Sequence, residues 1–261
     1  MAVVLAKPKR RIAPDSAEWR ARVDLAAAHR LATLHGLNEG IFNHLTLTVP
    51  GKPGRYYQIP FGLHWSEVTA SCFMEVSFEG ELLEGEGEIE RSAFCIHAPI
   101  HRLVPEAAAV FHTHQPYASA LTRLADPQIL PIGQTEVGVM AHAVYDADYA
   151  GPAFDPAEGE RLAGLLNGKS VLVMANHGIA TIGRSVAEAY DLLYYMERVA
   201  QVQLYAMWTN RPLRALPKSV LEETATAFKQ KMPKYGGKPS CEWHFEALKR
   251  LLEREQPDYK N

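Results

Sequence analysis

The chain is poor in cysteine. Cys72, Cys95 and Cys241 are the only three in 261 residues, far apart and odd in number, which argues against a disulfide framework and against any C-x-x-C metal or redox motif. Long apolar runs are also missing. Stretches such as residues 170–175 fall well short of the roughly 20 residues that cross a bilayer, so no membrane partner is expected. There is no basic block, and the formal net charge is −3, which leaves a nucleic-acid backbone without an electrostatic counterpart and excludes nucleic acid as an expected partner. No glycine-rich loop of the kind that cradles phosphate is evident. Residues 1–11 carry several lysines and arginines but lack the apolar core of about 7 to 15 residues found in secretory signals. They read as a loose basic tail, and a cytoplasmic location is expected.

What is present is ordinary globular composition, 47% apolar and 22% charged, enough to bury a large core. Asp15 and Glu18 have the spacing of a capping box. Leu25, Ala28, Leu31 and Leu34 then recur every three residues until Gly36, which predicts a first amphipathic helix. Residues 41–49 and 56–60, rich in β-branched and aromatic side chains and separated by a Pro/Gly segment, predict a hairpin. Residues 69–73 form a short turn or helix, and residues 74–78 a strand ended by Glu79-Gly80. A helix is predicted over 92–103 and a buried strand over 107–114. Residues 126–156 read as loop-rich, 156–166 as a helix, and 170–175 and 179–182 as strands around an Asn176-His177-Gly178 turn. Ser185 and Glu188 repeat the capping-box spacing ahead of a long helix that carries Val186, Ala189, Leu193, Met196, Val199 and Leu204. The organisation expected is a flexible tail over 1–14, one compact α/β unit over 15–210, and a partly helical extension over 211–261. That extension would pack on the domain or on a neighbouring subunit.

The chemistry lies in the histidines. His112 and His114 alternate in a predicted strand, whose period of two puts both rings on one face. Imidazole suits zinc, iron, copper or nickel, and His177 in its tight turn is the best third ligand. Three histidines leave a coordination position open, as catalytic metal sites do. His97 and His101 form a further i,i+4 pair on a helix, read here as packing and surface residues.

The segments Gly40-Ile41-Phe42-Asn43-His44-Leu45-Thr46, Ile59-Pro60-Phe61-Gly62-Leu63, Ser66-Glu67-Val68-Thr69-Ala70-Ser71, Val110-Phe111-His112-Thr113-His114 and Asn176-His177-Gly178 together resemble class II aldolase/adducin motifs, in order and spacing, over about residues 20–210. The resemblance implies a three-layer α/β/α sandwich around a central, mainly antiparallel sheet, often assembled as a homotetramer. It also implies that His112, His114 and His177 hold a divalent metal, zinc first, with manganese, iron or cobalt as alternatives. In the aldolases that metal polarises a substrate oxygen and stabilises the enediolate left by carbon–carbon cleavage.

Two positions depart from the sugar-phosphate aldolases. Ala93 stands where those enzymes carry a proton-transferring acid, as in an adducin-like branch, and adducin itself is a non-enzymatic cytoskeletal protein. His44 stands where they place a phosphate-holding asparagine, which points away from a phosphorylated sugar. Candidate replacement acids and bases are Glu90, Glu136, Tyr145 and Tyr149, with Glu90 read first as a solvated acid favoured by a helix start. His44, Gly62 and Ser92 are the candidate substrate contacts. The function expected is a metal-dependent lyase acting by retro-aldol cleavage or decarboxylation on a small, non-phosphorylated hydroxy, keto or aromatic compound. Alternatives are an isomerase or epimerase, an iron-dependent oxygenase, or a non-catalytic interaction module.

Overall fold

The computed structural model describes residues 5–148, 151–229 and 236–261. The first helix, α1 (Ala17–Leu34), starts one residue later than its expected cap: Ser16, not Asp15, accepts a hydrogen bond from the Trp19 amide. Its stripe of Leu25, Ala28 and Leu31 is buried, whereas Leu34 at the C-terminal end is half exposed. The predicted hairpin is β2 (His44–Thr48) and β3 (Arg55–Gln58). β4 (Met74–Ser77) follows and pairs with β5 (Leu82–Gly87), a strand whose glycines hid it in the sequence. A short β1 (Leu5–Lys7) lies along β5, so part of the expected loose tail is in the sheet.

Helix α2 (Arg91–Leu103) leads to β6 (Ala109–Thr113). Next come α3 (Pro116–Thr122), α4 (Gln134–His142) and β7 (Ala143–Asp146). The stretch expected to be loop-rich thus holds a helix and a strand. α4 is short and has no amphipathic period, because it is wedged among other helices rather than laid on the sheet. α5 (Pro156–Leu166) crosses over to β8 (Val171–Met174), and β9 (Ile179–Gly183) and α6 (Val186–Trp208) complete the unit. At the start of α6 the Ser185 hydroxyl accepts from the Glu188 amide, as its spacing predicted. Glu188 reaches one residue further back than a capping box requires, to the Arg184 amide. In the C-terminal extension, α7 (Lys218–Lys229) packs against α4, and α8 (Ser240–Glu255) packs against α6 and α1.

The sheet runs β1-β5-β4-β3-β2-β6-β9-β8-β7, with β7 and β8 its one parallel pair among the described residues. Strand alternation sorts the two faces. Leu45, Leu47, Ala109, Phe111 and Ile179 point toward α1 and α6, where Leu193, Met196 and Val199 complete the larger core. Val110, Ala180 and Ile182 point the other way, onto α2 and α5. This is the three-layer α/β/α arrangement that the motifs implied. Because Val110 and His112 share a face, as do His44 and Thr46, the polar side chains of β2 and β6 are turned toward α2. No helix among the described residues is long and apolar enough to cross a membrane.

Candidate metal centre

β2, β6 and β9 lie side by side, with His44 opposite His112 and His112 opposite Ala180. His114 follows immediately after β6, and His177 sits in the turn between β8 and β9. That turn is built for close approach. Asn176 adopts a left-handed backbone at φ 55°, and a β-carbon on Gly178 would come within 2.5 Å of the Thr113 carbonyl oxygen and 2.7 Å of the His114 ring. Only glycine lets the turn press His177 against the end of β6. The three rings meet there with centroids 4.8–4.9 Å apart. One ring nitrogen from each lies within 4.8 Å of the others.

The surroundings settle which nitrogens face inward. His112 Nδ1 lies 2.9 Å from the Ile179 carbonyl oxygen, which can only accept, so that nitrogen carries the proton. His114 Nδ1 donates in the same way to the Glu39 carboxylate at 2.5 Å. Both Nε2 atoms are left facing each other across 3.1 Å. Two lone pairs at that distance repel unless a cation or a shared proton lies between them. Nitrogens bound at ~2.0–2.1 Å to a tetrahedral zinc sit ~3.3 Å apart, so the spacing fits a metal. The carbonyl and carboxylate behind the two rings are the partners that metal-binding imidazoles usually have. Burial holds His112 well below the ordinary histidine range, reinforced by His177, His44 and His114. His177 is lowered to about 4 by burial and then by His114, His44 and Arg123. Both rings are therefore neutral at neutral pH, the state in which an imidazole can take a metal.

On the α2 side, the His44 ring lies tilted against that of His112 with centroids 5.2 Å apart. Its Nε2 meets Ser92 Oγ at 3.1 Å and Glu90 Oε2 at 3.2 Å. Glu90 is the N-cap of α2 and accepts from the Ala93 amide and the Ser92 hydroxyl. Burial pushes its carboxyl up, but hydrogen bonding and charge from His44, then Ala93 and Ser92, outweigh this and hold it at about 2. The structure thus brings His44, Ser92 and Glu90 together beside the three histidines. Gly62, at φ +94°, lies in the turn after β3, whose Phe61 amide binds the Glu88 carbonyl just ahead of Glu90.

Other candidates lie elsewhere. Glu136 is buried in the first turn of α4, its carboxylate folded over Gly133, and no described interaction joins it to the histidines. The Tyr145 hydroxyl accepts from the Ile129 amide, away from the cluster. Tyr149 lies outside the described residues. His97 and His101 are not surface residues: both are buried, because Thr46 of β2 lies opposite them.

Sequence reasoning missed Glu39, which no periodicity links to a histidine 75 positions away. It also missed Asn43 as a polar group of the site. The Asn43 Oδ1 accepts from the His114 amide, its backbone is left-handed at φ 73°, and its buried Nδ2 has no hydrogen-bond partner. An Asn placed just before a strand was the available signal.

Comparison with known proteins agrees with this fold. The family model "Class II Aldolase and Adducin N-terminal domain" matches residues 23–204. A Pseudomonas aeruginosa protein, assigned by name only provisionally to the class 2 aldolases, is 32% identical over 94% of each chain. The crystal structure of an aldolase II superfamily protein from Pseudomonas syringae superposes with a TM-score of 0.85 at 34% identity, covering 96% of this chain and 98% of that one. An L-fuculose 1-phosphate aldolase from Glaciozyma antarctica shares the fold, with a TM-score of 0.80 at 23% identity over 98% and 97% of the two chains.

Proposed function

Because the chain belongs to the class II aldolase and adducin family, we propose that it is a metal-dependent carbon–carbon lyase acting on a small, non-phosphorylated hydroxy or keto compound. The observation that carries this reading is the pair of inward-facing Nε2 atoms on His112 and His114, each ring held from behind, with His177 closing the triangle. His112, His114 and His177 would hold the cation. When bound, it supplies Lewis-acid stabilisation of the negative charge that develops on a substrate oxygen as a carbon–carbon bond breaks.

The chain's own residues supply the rest. The Ile179 carbonyl and the Glu39 carboxylate keep two rings in one tautomer and orientation. Asn43 offers a buried amide donor with no protein partner. His44 of β2, backed by Ser92 and Glu90 at the start of α2, forms a polar wall beside the cluster, in place of the acid that Ala93 lacks. Support for a non-phosphorylated substrate comes from His44, which stands beside the cluster at the position where the sugar-phosphate aldolases place a phosphate-holding asparagine.

The test is to load the protein with zinc, manganese, iron(II) or cobalt and screen hydroxy acids, keto acids and aromatic aldols, with sugar phosphates as comparison and His177→Ala as control. Cleavage of a non-phosphorylated compound that His177→Ala abolishes is expected. Sugar-phosphate turnover at ordinary aldolase rates would overturn the substrate assignment. Absence of turnover by the metallated protein across the panel would return weight to a binding role, since the same family takes in adducin.

A further inference from the structure

His44 is joined to a line of buried polar groups that runs away from the metal centre through the sheet–α2 interface. His44 Nδ1 lies 3.2 Å from His97 Nε2, His97 Nδ1 lies 2.7 Å from Thr46 Oγ1, and Thr46 Oγ1 lies 2.8 Å from His101 Nε2. His101 Nδ1 ends the line 2.6 Å from the Ala107 carbonyl oxygen. His97 is fully buried, Thr46 likewise, and His101 nearly so.

The direction of every bond follows from the last acceptor. A carbonyl only accepts, so the proton of His101 is on Nδ1. Burial lowers His101 to about 4, so at neutral pH the ring has no second proton and its Nε2 must accept. The donor to it is the hydroxyl of Thr46, whose single proton is then used. The Val110 carbonyl at 3.3 Å is the weaker alternative for that proton, and it would leave His101 Nε2 facing an oxygen lone pair. With its proton given to His101, Thr46 must accept from His97 Nδ1–H. Burial likewise keeps His97 neutral, so its Nε2 accepts from His44.

We propose that Thr46, His97 and His101 are positioning residues: a one-way hydrogen-bond chain, anchored on the Ala107 carbonyl, that commits Nδ1 of His44 as a donor and so holds the ring with its Nε2 turned toward Ser92, Glu90 and the metal centre. His44 Nε2 is the nitrogen beside Ser92 and Glu90, at the face of the metal centre where Ala93 provides no acid. The chain therefore sets the hydrogen-bonding polarity of the one imidazole that meets substrate without binding metal. This role rests on the reading of the histidine cluster as a substrate site. The chain itself is checked without any turnover.

The experiment is ¹⁵N NMR of the histidine-labelled, zinc-loaded full chain, with each ring assigned by single substitution. His44, His97 and His101 are expected to show the proton on Nδ1 in wild type. Thr46→Val, which keeps the shape and removes the hydroxyl, should leave His97 Nδ1 without its acceptor and release His44 Nδ1 from its donor role. In the turnover assay it should lower kcat about 10-fold or more with KM little changed, the signature of a misdirected imidazole. Thr46→Ser, which restores the hydroxyl, should recover both the spectrum and kcat. A wild-type His44 protonated on Nε2 alone, or a Thr46→Val protein with an unchanged His44 tautomer, overturns the proposal. If Thr46→Val does not fold, the wild-type and Thr46→Ser spectra decide. The expected tautomers without turnover of any substrate would support the chain and count against the lyase reading.

Discussion

His112 Nε2 lies 3.1 Å from His114 Nε2, while the Nδ1 of each ring is bound to an oxygen on its far side. Two rings braced in this way are pre-organised to share one positive charge. The purified chain, made without a histidine tag, is expected to hold about one divalent cation per chain. His112→Ala, His114→Ala and His177→Ala should each remove most of it by elemental analysis, and full metal content in all three would refute the assignment. Glu39→Gln keeps all three ligands and weakens only the brace, so metal affinity should fall by about 10–100-fold rather than disappear. Competition with a chelator indicator would measure it.

Gly178 should tolerate no side chain. A β-carbon there meets the Thr113 carbonyl oxygen at 2.5 Å and the His114 ring at 2.7 Å, so Gly178→Ala must push the turn away from β6. Overpacking of this kind typically costs about 1–3 kcal/mol. Urea denaturation should show the loss of stability, and metal titration should show weakened binding because His177 moves with the turn. Metal affinity equal to wild type would show that the approach is not needed.

Acid should destabilise the fold well before carboxylates titrate. Burial lowers His29 and His101 to about 4, from an ordinary value of 6.5. Below pH 6.5 the unfolded chain binds protons at these positions and the folded one does not, so stability falls as pH drops toward 4. Each group accounts for roughly 3 kcal/mol over that window. Denaturation midpoints at pH 7, 5.5 and 4.5 should fall in that order. His29→Leu should make the decline shallower, and an unchanged slope would rule His29 out.

Self-association is expected as well, most simply as a tetramer. At the C-terminal end of α6, Tyr205, Met207 and Trp208 are exposed, Trp208 at 82%, close to Tyr117 of α3. Sedimentation at micromolar concentration should show an oligomer, and a monomer there would contradict the expectation.

Much of the fold was legible because many of its elements carry their own pattern of burial. α1 and α6 show an apolar period toward one face of the sheet, α5 begins at Pro156 and turns an apolar side to the other face, and the strands on either side of Asn176-His177-Gly178 are apolar runs buried on both. α4 and β7 were not legible, since a helix packed among α6 and α7 has no single apolar stripe and a four-residue edge strand carries little signal. Within the site, the H-x-H pair declared itself through strand parity and its motif. Glu39, Asn43 and the Thr46 chain did not, because their roles depend on which residues lie across the sheet. The i,i+4 spacing of His97 and His101 was visible, but whether it faced water or Thr46 was decided by β2.

The proposed ligands and the groups that brace them come from distant parts of the chain: 75 positions separate Glu39 from His114, and 67 separate His112 from Ile179. Closing such loops is slow and entropically costly. The capacity to bind a cation therefore emerges only after β6 has gained a neighbour on both sides. A cation added at the start of refolding should leave the early phase unchanged and act on the late one, slowing unfolding far more than it speeds folding.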